Sequence, residues 1–464
     1  MSAILDKFEI DISLVSSSKL KFDECRIDPK FFSENQNFIN NLDTNPLEFY
    51  CSEIFNPPVF KREFLQDENE CRYLASAEIV SLAPEITYIT NEQADRLRLR
   101  VKKNWILVTG FGTIGSIRIS DNIINGYAIA NNVSRIIANT GFEGFIAAYL
   151  ESSYGNKLLN DHAAGAVIKY IEAPHISKIP VPVLDEKVVK SINERYLTAV
   201  TCREKAHELL QEADLLLHQY NNLPPLSETN FETLDPSKEN EIYFTNVSEV
   251  NYGFRLDANF YNPLAKLAIS NIEKYSKVNC QIKDGVVSRT FYLNRFTRTF
   301  VEKGFGIPYM AGKDIIKIRP SDVSYLSNTE TYGMEDYKLQ TGWILMTCSG
   351  TLGRTCYIHH NYENWVGTHD LIRIECSANF DSGYLYAFLS SEYGYNQVMR
   401  YKHGAVIDHL TPEQVEEIFF PILPDKQQKE IGDLVRNAYD LRAEAIRLED
   451  EAQEILTQAL TKNK

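Results

Sequence analysis

The chain has 464 residues, 44% of them hydrophobic and 24% charged. That is too much apolar material for a disordered protein, 22 Gly and 17 Pro are too few for a fibrous one, and the length allows roughly two to four folding units. Its 48 Lys and Arg stand against 63 Asp and Glu, a net charge of −15, so any nucleic-acid contact must come from a local basic face.

Asp6, Lys7, Glu9, Asp11, Lys19, Lys21, Asp23 and Glu24 interrupt the first 25 residues, so no secretion signal is expected there. No window approaches 18 uncharged apolar residues, so no membrane span is expected either. The eight cysteines form no CxxC pair and read as reduced thiols rather than zinc ligands.

In chain order, the first recognisable block is RIDPKFF at 26–32, followed by YLASAEIVSLAP at 73–84. Strand-like runs follow at Trp105–Thr109 and Ser116–Ser120, around the turn GFGTIG. Gly141–Asn156 reads as a helix ending in YLESSYG, and GAVIKYIEAPHISKIPVPVL occupies 165–184. A long helix is expected from about Asp185 to Tyr220, with a seam of Ile192, Tyr196, Ala199, Arg203, Ala206, Leu210, Ala213, Leu217 and Tyr220. Leu223-Pro224-Pro225-Leu226 ends it, because proline cannot continue a helix. Residues 222–253 are acidic and loosely patterned, and read as a linker leading into a strand at 242–247.

The same blocks then return in the same order. RLDANFY lies at 255–261, YMAGKDIIKIRP at 309–320 and WILMTCSGTLG at 343–353. Strands are expected at Trp343–Thr347 and Cys356–His359, and a helix at Asp381–Met399 containing FLSSEYG. GAVIDHLTPEQVEEIFFPIL occupies 404–423, and a second long helix follows. Its seam is Ile431, Leu434, Ala438, Leu441, Ala445, Leu448, Ala452, Ile455 and Ala459, a heptad spacing. The offset between copies drifts only from 229 to 239 residues. Five blocks in register define a tandem duplication.

Two enzyme motifs fail the test that this repeat provides. Gly110-Phe111-Gly112-Thr113-Ile114-Gly115 has the GxGxxG form, but its copy keeps only GT[IL]G, and both copies run on into strand-like sequence instead of opening a helix. Asn56-Pro57-Pro58-Val59 is similar to the NPP[YF] motif of amino-directed DNA methyltransferases, yet it lacks the stacking aromatic and does not recur. His359, His360, His369, His403 and His409 cluster in the second half without counterparts in the first, and read as surface or hydrogen-bonded histidines. No catalytic residue and no metal ligand is expected.

With its GTIG-type turns, GAVI loops, long helices and the exit Pro421-Ile422-Leu423-Pro424-Asp425-Lys426-Gln427-Gln428-Lys429-Glu430-Ile431, the chain resembles the specificity (S) subunit of type I restriction-modification systems. The resemblance spans almost the full length and is weakest at Val188-Val189-Lys190, where the family's glutamine is absent. It implies an α/β (α+β) chain with target recognition domains at 1–184 and 254–423. The long helices at 185–221 and 424–464 would pair as an antiparallel coiled coil, with 222–253 as linker. It further implies a non-catalytic subunit reading a two-part target in double-stranded DNA, with the helices setting the gap. Two methyltransferase (M) subunits, and possibly restriction (R) subunits, would dock on it in a prokaryotic cytoplasm, with no membrane involved. S-adenosylmethionine, and ATP with Mg for a nuclease, would be bound by those partners and no cofactor by this chain.

Residues 283–319 carry eight Lys and Arg against three acids, interleaved with Phe291, Tyr292, Phe296 and Phe300. From this stretch Arg289, Arg295, Arg298 and Lys313 are candidates for DNA contact. Lys61 and Arg62 form a thinner equivalent in the first half. Arg118 pairs loosely with Arg354 after the two GTIG turns. Lys169 and Tyr170 follow the first GAVI, and His403 and His409 flank the second; the residues here differ between copies while their frame is repeated. Two other readings stand beside this one: a stand-alone DNA methyltransferase, which would bind S-adenosylmethionine by itself, and a degenerate recognition-like scaffold in a phage-defence complex, which would not read DNA.

Overall fold

The computed structural model describes residues 42–65, 67–165, 169–226, 250, 255, 257–320, 323–328, 335–404 and 406–462. The RIDPKFF block, the strand expected at 242–247, most of the first GAVI and one residue of the second lie outside the described residues. The chain forms two compact units. One comprises Met1–Glu204 with Glu444–Lys464, the other Lys205–Ala443.

The first unit contains β1 (Thr44–Pro46), β2 (Cys51–Phe55), β3 (Cys71–Leu74), β4 (Thr87–Ile89), β5 (Ile106–Thr109), β6 (Ile117–Ile119), β7 (Ala128–Ile129), β8 (Val133–Ala138) and β9 (Pro180–Pro182). Its main sheet has the order β2-β8-β5-β6, a second sheet is β4-β3-β7, and β1 pairs with β9. Both faces of β5 are covered. Ile106 and Val108 join the core under Phe145 and Leu150, while Leu107 joins the other core with Tyr73 and Ile129. Side chains alternate across a strand, so a strand covered on both faces reads as the continuous apolar run ILV.

The second unit contains β10 (Asn279–Gln281), β11 (Val287–Phe291), β12 (Phe300–Val301), β13 (Gly306–Met310), β14 (Ser324–Ser327), β15 (Ile344–Thr347), β16 (Thr355–Tyr357), β17 (Val366–Gly367), β18 (Leu371–Cys376) and β19 (Phe419–Pro421). Its sheets are β11-β18-β15-β16, β12-β14-β13-β17 and β10-β19. The main sheets correspond strand for strand. The small sheets share one parallel pair, β3 with β7 and β13 with β17. Register agrees as well: Leu107 faces Arg135 as Leu345 faces Arg373. The duplication read from sequence is therefore a duplication of topology.

Each expected short helix is in fact two, Glu143–Glu151 with Ser153–Asp161 and Ser382–Ser390 with Glu392–Arg400. The break falls at Ser152 and Ser391, whose hydroxyls accept the Gly155 and Gly394 N–H groups as N-caps. A side chain at Gly155 would collide with the Tyr149 carbonyl, so the sharp bend requires glycine.

The long helices run Glu186–Asn221 and Asp425–Lys462. The first buries Ile192, Tyr196, Ala199, Ala206, Ala213 and Leu217, the seam that spacing predicts. The second departs from its expected seam at Leu434, Leu441, Leu448, Ile455 and Ala459, which are only half-buried. Ile431, Ala438, Ala445 and Ala452 are buried as expected, but Val435, Glu449, Leu456 and Leu460 are buried in place of Leu434, Leu448, Ile455 and Ala459. One of these buried members is polar. Within the first unit Glu449 is held by both guanidinium nitrogens of Arg203, at 2.5 and 2.7 Å, with the two side chains 3% and 11% exposed. Burial opposes the charge on Arg203, and the Glu449 carboxylate outweighs it, so the Arg203 pKa is raised.

Candidate nucleic-acid interface

In each unit the GTIG turn lies against a residue that follows the GAVI block, Tyr170 in the first and His409 in the second. Thr109 and Thr347 hold the turn by accepting the Ser116 and Arg354 N–H groups on their side chains. Ile114 and Leu352 plug the turn into the core. Gly112 and Gly350 take φ of 73° and 74°, where a side chain is strained although nothing stands in its way. The turn joins antiparallel strands, β5 to β6 and β15 to β16. It opens no helix, so the GxGxxG string has no phosphate-binding context here.

The two units differ in what these elements present. In the first, Phe111 of the turn bridges to Tyr170, and their rings stack with centroids 5.5 Å apart and planes 14° from parallel. Lys169 is exposed beside them. In the second, Ser349 occupies the Phe111 position and His409 the Tyr170 position. Ser349 Oγ lies 3.1 Å from His409 Nδ1, and His409 bridges back to His403. Lys402 and Asp408 pair at 2.9 Å across the base of this loop. The corresponding residues of the first unit are Ala163 and Lys169 and cannot form such a pair. Val406, 97% exposed, and Ile407 stand at the tip.

Four candidates therefore come together with a turn in their own unit: Lys169 and Tyr170 in the first, His403 and His409 in the second. Lys61 and Arg62 are exposed on the strand-free segment after Asn56, and Lys61 pairs with Glu63 at 3.0 Å. Arg295, Arg298 and Lys313 are exposed, and Arg298 donates to the Tyr309 hydroxyl at 3.0 Å. Arg289 is bound to Asp336 at 3.1 Å, and this hydrogen bond holds the Asp336 carboxyl below its ordinary range. Arg289 also lies 3.7 Å from the Phe291 ring centroid. Burial lowers the His369 pKa; Asp370 opposes this, and the cationic field of Arg298 and Arg295 adds to the lowering.

The pairing of Arg118 with Arg354 is corrected by strand register. Leu107 faces Arg118, and the equivalent Leu345 faces Cys356. The counterpart of Arg354 is Ser116. Arg118 is 8% exposed, donates to the Ile79 carbonyl and pairs with Asp121, both at 2.8 Å. It is an interior clamp and cannot reach DNA. Arg354 is half-buried over the Tyr395 ring.

Sequence reading passed over Phe111 and Ser349 as members of the edge. Their signal is visible in the aligned copies, a large change of residue inside an otherwise repeated block. It also passed over Arg135 and Arg373, which are fully buried and, among the described residues, hydrogen-bond to backbone carbonyls. Arg135 donates to the carbonyls of Leu99, Ile129, Ala130 and Val133, and Arg373 to those of Gly367 and Leu371. Burial pulls their pKa values down to about 9 and about 10. The NPP element is equally structural. Asn56 Oδ1 accepts from Ala173 N at 2.8 Å and from Ser134 Oγ at 3.1 Å, while Val59 is 88% exposed.

Fold and edge define a protein with two copies of one binding module, alike in frame and unlike at the surface presented. Residues 311–451 match the model of the type I restriction modification DNA specificity domain. The match lies within the second copy of the repeat and the long helix that follows it, so that part of the chain is similar to a type I restriction modification DNA specificity domain. Three solved structures are similar to it. One is the type I restriction-modification S subunit from M. genitalium, at 12% identity over 91% of this chain and 95% of that one, with a TM-score of 0.35. A second is the HsdS subunit from Thermoanaerobacter tengcongensis, at 14% identity over 90% and 96%, with a TM-score of 0.28. A third comes from work on the assembly and conformational transition of the type I R-M system, at 14% identity over 90% and 97%, with a TM-score of 0.28. Among curated proteins no relative matches. No helix among the described residues is long and apolar enough to cross a membrane.

Proposed function

We propose that each unit reads one half of a split duplex DNA target through its turn-and-loop edge, and that the long helices set the gap between the halves. The observation that carries this is the edge itself. A glycine-dependent turn meets residues flanking the GAVI block in both units, with Phe111, Lys169 and Tyr170 in one and Ser349, His403 and His409 in the other. The first set offers stacked aromatic surface and one cation; the second offers hydrogen-bonding groups. Arg295, Arg298 and Lys313 supply phosphate contacts that position the second unit. Methyl transfer to adenine belongs to methyltransferase subunits, two per chain, that carry S-adenosylmethionine, and restriction subunits with ATP and Mg join where cleavage accompanies modification. The antiparallel coiled coil is the surface on which the methyltransferase subunits dock.

Modified-base sequencing of host DNA, with the chain present and deleted, tests this reading. The expected result is a motif of two short half-sites, methylated only when the chain is present. Lys169→Ala is expected to relax one half-site and leave the other unchanged. If no methylated motif depends on the chain, the reading is overturned.

A further inference from the structure

The second unit holds a cluster that DNA reading does not use. His359 and His360 follow β16, and Asp440 stands on the second long helix. One ligand atom from each lies within 4.8 Å of the others. His359 is buried, whereas His360 and Asp440 are exposed. The His359 ring is clamped at both nitrogens, with Nδ1 3.0 Å from Asn361 Oδ1 and Nε2 2.7 Å from Asp440 Oδ1. The His360 ring centroid is 3.8 Å from that of His359.

This arrangement sets a charge requirement. Two oxygens face the two nitrogens of one imidazole, so Nε2 must present either a proton or another cation to the carboxylate. An imidazole whose Nδ1–H is held by an oxygen acceptor has Nε2 free as a ligand, the usual support of a metal-binding histidine. The outer ligands are exposed side chains that can turn inward, and solvent can fill the remaining positions.

We propose that His359, His360 and Asp440 bind one divalent transition-metal ion of the zinc type, tying the second long helix to the strand layer of its own unit. Two imidazoles and a carboxylate suit such an ion. The first copy lacks these histidines, yet a site that braces one unit need not recur. The equivalent corner of the first unit is closed by side-chain cations, with Lys103 paired to Glu204 at 3.2 Å. Asp121 pairs with Arg118, and Glu204 accepts the Asn122 N–H at 2.7 Å.

Titration of the purified full chain with Co2+, followed by visible absorption, tests the site. One saturable equivalent is expected, displaced by Zn2+. His360→Ala and Asp440→Asn, both at exposed positions, should abolish the band, and Asn361→Ala should weaken binding roughly 10- to 100-fold. Circular dichroism of each variant checks that the fold is kept. Absence of a saturable band in the parent chain, or its persistence in either ligand variant, overturns the proposal.

Discussion

The first unit and the second share every main-sheet strand, the glycine turn and a buried arginine on β8 or β18. Two of their differences carry the contrast. One is the edge, where Phe111 stacks on Tyr170 in one unit and Ser349 bonds to His409 in the other. The second is the stretch of long helix that each unit contains. The first unit seats a bidentate ion pair, Arg203 with Glu449, in its helix seam. The second seats Tyr439, whose hydroxyl donates to the Tyr386 hydroxyl at 3.0 Å and accepts the Tyr357 N–H at 3.0 Å. A duplicated frame can thus keep its sheets while its helix contacts and surface loops follow separate chemistry. Residues fixed by the frame, such as Arg135 and Arg373, say little about targets, and residues that differ on a shared frame say most.

The seam contrast yields the largest expected effect. Glu449→Ala leaves the Arg203 guanidinium buried without its partner and should cost about 3–5 kcal/mol. Replacing both residues by leucine should be nearly neutral or stabilising, because the pair's desolvation cost disappears with it. Tyr439→Phe in the second unit removes one hydroxyl and strands one buried N–H, at about 1–3 kcal/mol. Urea unfolding of the three variants ranks them. Equal losses for Glu449→Ala and Tyr439→Phe would remove the distinction between the two seams.

The edge contrast comes next. Ser349→Phe with His409→Tyr rebuilds in the second unit the stack that the first unit carries. Loss of a base contact there should cost about 1–3 kcal/mol in half-site discrimination, and the change should appear in one half-site only. Modified-base sequencing reads this directly. A shift in both half-sites, or in neither, would separate the edge from base reading.

The turn itself supplies a smaller effect that should be equal in the two copies. Gly112→Ala and Gly350→Ala meet no neighbouring atom, so the positive φ alone is penalised, by about 1–2 kcal/mol each. Thermal unfolding checks the equality. A much larger loss in one copy would show that its turn carries strain the other lacks.

Much of the frame was legible because it is written twice. Comparing copies located β5, β6, β15 and β16 and excluded a cofactor loop at GFGTIG. The first helix seam was legible down to Arg203, since period alone placed it. The second differs because heptad spacing favours apolar Leu434 and Leu448 over their neighbours, and a glutamate is a seam residue only where its arginine partner is known. Arg118 was misplaced for a related reason. Basic charge is visible in a sequence, but register decides whether it faces solvent, and here Asp121 and the Ile79 carbonyl hold it inside. The stacking of Phe111 on Tyr170 joins residues 59 positions apart, a contact that no local pattern encodes.

The smallest expected effect separates two arginines that the sequence ranked alike. Arg289 is bound to Asp336 on an exposed face, and Arg295 is exposed nearby. An exposed pair contributes about 0–1 kcal/mol, so Arg289→Ala should barely change stability. The sign of its pH dependence follows from the lowered Asp336 pKa. The small contribution is present above the ordinary carboxylate pKa and is lost as pH falls through the lowered one. For DNA the two residues should diverge. A guanidinium that keeps its carboxylate releases no counterion on binding, whereas one that meets phosphate does. Arg295→Ala should therefore reduce the salt dependence of DNA binding by about one charge, and Arg289→Ala should leave it unchanged. Affinity of the complete methylating complex, measured against salt concentration, gives both slopes. A reduced slope for Arg289→Ala would mean that Asp336 yields its partner to the backbone, and the basic stretch would then act as one surface.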